Sequence, residues 1–320
     1  KEELDIPVMH DDQHGTAIIS SAALLNALEL TEKRIEDVRV VVSGAGAAAM
    51  SCLDLYIQLG LTLENIAVFD SRGHVHSGRE GLGESKQRFA TEKSYESLAD
   101  AMKGADVFLG LSKGGLVTGG MIKEMGSDPI VFALANPDPE IPYKEAIEAR
   151  EDIIMATGRS DHPNQVNNVL GFPFIFRGAL DVRATKINEA MKMASVLALA
   201  KLAKEPVPEQ VNIAYGETKL IFGKDYIIPK PFDPRLISTI PLAVAKAAVA
   251  SGVAKEPLGN WNKYEEKLYT RMGNDNKMLR MLFNRAKTSP KRIVFAEADH
   301  LDVLKAAQII FKEGIGIPIL

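Results

Sequence analysis

The stretch Val40-Val41-Val42-Ser43-Gly44-Ala45-Gly46-Ala47-Ala48-Ala49 decides the fold of this 320-residue chain. Three consecutive valines predict a buried strand over residues 39–43. The alanine-rich run after them predicts a helix over 47–59, stopped at Gly60. Between strand and helix stands Gly-x-Gly-x-x-Ala, and each position has a physical reason. Gly44 permits the tight turn, Gly46 lets a ligand's pyrophosphate approach the backbone, and Ala49 allows close packing of helix on strand. Ala45 and Ala47 bring backbone amides toward the phosphates at the helix start. Glycines also serve plain turns, so the surroundings have to carry part of the reading.

Outward from this turn, β-rich runs recur at 66–69, 107–111, 130–134 and 153–156, with helix-compatible stretches between them, including 97–103 before Gly104. Strand alternating with helix predicts an α/β fold with a doubly wound parallel sheet, a Rossmann-type NAD(P)-binding domain. A buried helix is expected over 16–30. Beyond Arg183 strands give way to helices, one with the face Ile187, Ala190, Met191, Ala194 and Ala198, another over 240–250 with Pro241 in its first turn. The proline-rich stretch 226–234 reads as an extended loop. Residues 255–290 read as a helical linker. Strands at 292–296 and 317–320 around a helix at 301–312 read as the start of a second α/β domain, 291–320. Both ends read as cut, so the chain is expected to be a piece of a longer polypeptide.

Composition narrows the classes. Hydrophobic residues make up 46% and charged residues 25%, and no apolar run approaches the ~18 residues of a membrane span. A net charge of −4 without a basic block argues against a nucleic-acid surface. A cytoplasmic enzyme without membrane or nucleic-acid partners is the expectation. The single cysteine, Cys52, reads as a core thiol.

Asp70 closes the second strand, where a carboxylate can accept hydrogen bonds from the adenosine ribose. Arg72 beside it favours a ribose 2′-phosphate and hence NADP over NAD, unless it is only a solvated turn residue. Ser112 and Asn136 follow the third and fourth strands, where loops line a cofactor crevice. Two polar clusters remain. His10-Asp11-Asp12-Gln13-His14 precedes the first helix; an N-capping aspartate explains it, and so does part of a hard-cation site, which needs more oxygens than one Asp provides. The histidine spacing fits no usual zinc pattern. Ser160-Asp161-His162-Pro163-Asn164-Gln165-Val166-Asn167-Asn168 supplies turn formers, or amides that hold a carboxylic acid near the nicotinamide.

Taken together, Ile6-Pro7-Val8-Met9-His10-Asp11-Asp12-Gln13-His14-Gly15-Thr16, Gly44-Ala45-Gly46, Ala135-Asn136-Pro137, Asn167-Asn168-Val169 with Phe172-Pro173, and residues 226–233 resemble malic enzymes, in particular the bacterial type fused to a phosphate acetyltransferase-like domain. The similarity runs through residues 6–254, with Phe295-Ala296-Glu297 typical of the fused domain. The resemblance implies oxidative decarboxylation of L-malate to pyruvate and carbon dioxide, NADP or NAD as cofactor, Mg or Mn as metal, and a homo-oligomer. It implies Asp12 as a metal ligand, Asp11 in the catalytic hydrogen-bond network, and Asn136, Asn167 and Asn168 as substrate-binding. It places residues 1–10 at the end of an amino-terminal domain, 11–254 in the NAD(P)-binding domain with 168–254 folding back on the amino-terminal one, and the catalytic tyrosine and lysine and two further metal ligands before Lys1. Two other readings fit the residues. One is another metal-assisted 2-hydroxy acid or amino acid dehydrogenase; the other is a non-catalytic dinucleotide sensor, which has no use for Asp11, Asp12 and the asparagines.

Overall fold

The computed structural model describes residue 4 and residues 6–217, 219–271 and 285–320. All four residues of Val40–Ser43 are buried, which requires parallel neighbours and helices on both faces. In chain order the elements of the first unit are α1 (Thr16–Leu30), β1 (Val40–Ser43), α2 (Ala47–Gln58), β2 (Ile66–Asp70), β3 (Gly73–His74), α3 (Glu84–Gln87), α4 (Leu98–Met102), β4 (Val107–Gly110), α5 (Gly119–Lys123), β5 (Ile130–Ala133), α6 (Tyr143–Ala149), β6 (Ile154–Thr157), α7 (Phe172–Asp181), α8 (Glu189–Ala203), α9 (Glu209–Tyr215) and α10 (Leu236–Ala250). The sheet order is β3-β2-β1-β4-β5-β6. All pairings are parallel except that of β2 with the two-residue β3. The chain leaves β1 toward β2 on one side and reaches β4 on the other. This reversal creates a crevice outside the carboxyl ends of β1 and β4, where ligands of doubly wound sheets bind.

Alternate residues of each strand feed opposite faces. Val41, Phe69, Phe108, Val131 and Met155 form one core with Met102, Ile122, Ile141 and Ala146 from α4 to α6 and their loops. On the other side α1 packs against α2 and α8, and α10 packs against α7 and α8. Eleven residues of α1 are buried, so this helix lies between the sheet layer and the helical layer. Its Asn26 ties the layers together, donating to the carbonyls of Ala200 (2.9 Å) and Ile227 (2.8 Å).

Several expectations need correcting. The buried face of α8 carries Met191, Ser195, Val196, Leu199 and Leu202, while Ala190 is exposed and Ala194 and Ala198 are half-buried. Packing against α1 and α10 decides which side of α8 is buried, so Ser195 and Ala200 lie inside while Leu197 is exposed. The helix α10 begins at Leu236 and holds Pro241 in its interior. Leu236, Ile240 and Val244 are buried along it, and that packing outweighs the hydrogen bond a proline removes. The proline-rich stretch forms no helix or strand, as expected of a loop, and much of it lies inside: Tyr226, Ile227, Ile228 and Lys230 are buried, and the Ile227 amide donates to Asn164 Oδ1 at 2.9 Å.

The chain divides into Lys1–Trp261 and Asn262–Leu320. Part of the expected linker forms a helix, α11 (Trp261–Thr270), and residues 272–284 lie outside the described residues. In the second unit β7 (Lys291–Val294) pairs in parallel with β8 (Gly316–Ile319), joined through the helix Leu301–Glu313. No described helix is long and apolar enough to cross a membrane.

Candidate active site

Gly44 leaves β1 with φ +112°, and a Cβ there would stand 2.5 Å from the Leu111 carbonyl oxygen. Only glycine lets the turn after β1 lie against the turn after β4. Ser43 and Ser112 hold the two turns together through their hydroxyls at 2.8 Å. Gly46 then sits at the head of α2 in extended conformation, with no side chain capping the helix. A Cβ on Gly46 would meet open space, and Ala47 is exposed while Ala49 is buried. The first-turn amides of α2 therefore face the crevice, with the local positive potential that suits a phosphate.

Asp70 does end β2, but its carboxylate is already engaged. Arg79 donates to both oxygens at 2.8 Å, Lys86 donates to Oδ2 at 2.6 Å, and the Arg72 amide donates to Oδ1 at 2.9 Å. Burial alone would raise this carboxyl; Lys86, the Arg72 amide and Arg79 outweigh it and hold the group at about 2. The Arg72 side chain is exposed. Arg79 and Lys86 escape a sequence reading because the short antiparallel β3 and α3 bring them back to β2 from nine and sixteen residues away.

The loops after β4 and β5 line a crevice of about 730 Å³, bordered by Ser112, Gly114, Asn136, Tyr143, Arg159 and His162. That volume suits a cofactor fragment or a small substrate. His162 stacks on Tyr143 with centroids 4.5 Å apart. Asn136 is exposed, and its Oδ1 lies 3.6 Å from where a Cβ on Gly158 would stand. Under these loops Glu140 is fully buried and accepts the backbone amides of Ser112 (3.0 Å) and Ala135 (3.1 Å). No local pattern marks it, since its partners lie in two different loops.

Asp11–Gly15 forms a π-helical turn that runs directly into α1, with no side-chain cap. The N-capping explanation of this cluster therefore does not hold. Instead Gln13 donates to Ser51 of α2 at 2.9 Å, Thr16 donates to Asn168 Oδ1 at 3.1 Å, and Asn168 Nδ2 donates to the Asp11 carbonyl at 3.3 Å. Both polar clusters thus meet beside the fingerprint helix, although 152 residues separate Thr16 from Asn168. Asn167 caps the short turn after it, accepting from the Val169 amide at 3.0 Å. Asp11 Oδ1 is buried without a hydrogen-bond partner, and a Cβ on Gly15 would fall 2.4 Å from it. Burial pushes the Asp11 carboxyl up; Asn168 lowers it, Asp12 adds to the rise, and His10 offsets part. Asp12 is exposed. An orphaned carboxylate oxygen beside an exposed carboxylate has the donor chemistry of a hard-cation site. Among the described residues, however, no group of three or more His, Cys, Asp or Glu could hold a metal, so these two supply only part of a shell.

The sheet order, the glycine turn and the open helix head define a dinucleotide-binding domain of the doubly wound type. The family model for the NAD-binding domain of malic enzyme matches residues 13–215, and the chain belongs to this family. It is 52% identical to the NADP-dependent malic enzyme of Haemophilus influenzae over 322 aligned positions, covering 100% of this chain and 43% of that protein. It is 50% identical to an NAD-dependent malic enzyme of Rhizobium meliloti, covering 100% of this chain and 42% of that protein. The crystal structure of Entamoeba histolytica malic enzyme superposes with a TM-score of 0.75 at 39% identity, over 89% of this chain and 57% of that one. The chain thus spans less than half the length of these two curated relatives.

Proposed function

We propose that this chain supplies the cofactor-binding portion of an enzyme that oxidatively decarboxylates L-malate to pyruvate and carbon dioxide while reducing NADP or NAD. The observation that carries the reading is the junction where Asn168 bonds to the Asp11 backbone carbonyl and to Thr16, and Gln13 reaches Ser51 of the fingerprint helix, with the orphaned Asp11 carboxylate oxygen beside them. In this reading the α2 amides hold the pyrophosphate, and the crevice by Ser112 and Asn136 receives the nicotinamide side. Asn136, Asn167 and Asn168 orient the malate carboxylates, and Asp11 takes part in the proton network. Asp12 would offer one oxygen ligand to Mg or Mn, which when bound would polarise the keto oxygen formed by hydride loss and so stabilise the electrons left behind as carbon dioxide departs. NADP is favoured over NAD by the exposed Arg72 beside Asp70, with Lys86 and Arg79 adding positive charge there.

A homo-oligomer acting in the cytoplasm belongs to the same proposal, and sedimentation of the longer polypeptide checks the assembly. The assay for the activity follows carbon dioxide release and dinucleotide reduction with malate and Mn, comparing this chain with a version carrying the preceding sequence of its relatives. Malate-dependent gas release by the longer version supports the proposal. Oxidation of a 2-hydroxy acid without gas release points to a different dehydrogenase, and dinucleotide binding with no turnover of any such acid points to a sensor.

A further inference from the structure

We infer that Glu140 is a positioning residue that fixes the two loops of the nicotinamide side of the crevice before cofactor arrives. The inference rests on the dinucleotide reading above. A carboxylate is costly to bury unless it is hydrogen-bonded, and Glu140 is buried completely. Its two bonds are divided between neighbouring strands. Oε1 accepts the amide of Ser112, the second residue beyond β4; Oε2 accepts the amide of Ala135, the second residue beyond β5. At these points the ladder has ended and each amide would otherwise need another acceptor.

The backbone around Glu140 is anchored as well. Val117 donates to the Glu140 carbonyl at 2.9 Å, and Gly115 donates to Pro139 at 3.2 Å. Two glycines on the facing strand and loop make room. A Cβ on Gly110 would lie 2.3 Å from Glu140 Cδ, and one on Gly114 would lie 2.8 Å from Asp138 Cβ. From Ser112 the connection continues through its hydroxyl to Ser43, directly before Gly44; from Ala135 it reaches Asn136. One side chain therefore sets the spacing of Ser112 and Asn136. Burial pushes its carboxyl above the ordinary glutamate range, and the Ser112 and Ala135 amides oppose that rise. A site whose loops are held in place loses less conformational entropy on binding.

The test titrates NADP, NAD and ADP into the 320-residue chain as wild type, Glu140→Gln and Glu140→Ala. ADP carries the adenosine and pyrophosphate but neither the nicotinamide nor its ribose. Glu140→Gln is expected to weaken the preferred dinucleotide about tenfold, the equilibrium effect of leaving one buried amide facing a donor. Glu140→Ala should weaken it further, and ADP affinity should stay within about twofold in both. Equal losses for dinucleotide and ADP, or no loss for either, would overturn the positioning role. Amide exchange on the ligand-free wild type gives a readout that needs no variant to fold. Slow exchange at both Ser112 and Ala135 supports the inference, and exchange at the rate of open loops overturns it. Wild type that binds neither dinucleotide would overturn the dinucleotide reading and this inference with it.

Discussion

His74 stands on the edge strand with both ring nitrogens buried and without hydrogen-bond partners, packed among Phe69, His76 and Tyr95. Burial first, then His76 and Arg79, push its imidazole down to about 4. The folded chain thus binds this proton less readily than the unfolded chain, whose histidine titrates at about 6.5. Its stabilising contribution is full above that value and is lost as pH falls through about 4. Urea midpoints at pH 7 and 4.5 should accordingly differ less in His74→Leu than in wild type, and an unchanged difference would discard this assignment. Arg72→Ala should weaken NADP binding by about tenfold, as for loss of one charge-assisted bond, and leave NAD nearly unchanged. Equal NADP affinity in the two proteins would remove Arg72 from cofactor choice. Gly44, Gly46 and Ala49 were legible in the sequence because a turn's demands are local. Arg79, Lys86 and Glu140 were not, because each acquires its partner through a fold-back or a neighbouring strand. Asn168 was singled out for substrate; its amide here also braces the Asp11 turn.

Among the elements, α8 illustrates both what local chemistry specifies and what packing decides. Asn188 starts it by accepting the Met191 amide at 3.0 Å, and its Nδ2 reaches Ser251 at the end of α10 at 2.9 Å. Asn188→Ala should cost about 0.5–2 kcal/mol of stability, read from chemical denaturation; a midpoint equal to wild type would show that tertiary packing alone sets the helix start. The bounds of α1 match the sequence expectation, and the five parallel strands fall within one residue of theirs at each end, since apolar runs between glycines and polar turns are visible locally. Shorter helices such as α5 and α6 carry too little periodicity to be read in advance. The helix α7 is hidden by its opening Phe172-Pro173, and its meeting with α10 depends on a contact no single segment shows. A Cβ on Gly178 would stand 2.5 Å from the Pro241 carbonyl, so glycine permits the two backbones to approach. Phe172, Leu180 and Leu197 remain exposed on this helical layer.

For the molecule as a whole, the sequence foretold a doubly wound sheet followed by helices and a second α/β segment, and the structure places a boundary at Trp261 and Asn262. The resemblance put 11–254 in one domain; what the residues by themselves did not disclose is that α1, from the opposite end of the chain, packs against the helices after β6. That placement bears on how the first unit comes apart. With Ile18, Ile19, Leu24 and Leu28 buried and Asn26 bonded across to Ala200 and Ile227, α1 has hardly any side suited to water. A partly opened state that kept the sheet but released the helices would strand this apolar surface in solvent, and the reverse opening would strand it equally. Intermediates of either kind are disfavoured, so β1 and α8 should open in one cooperative step. Native-state hydrogen exchange under rising denaturant tests this with the amides of Val42 and Leu199: their opening free energies should converge on one value, whereas separate plateaus would mean that α1 leaves with only one of its two layers.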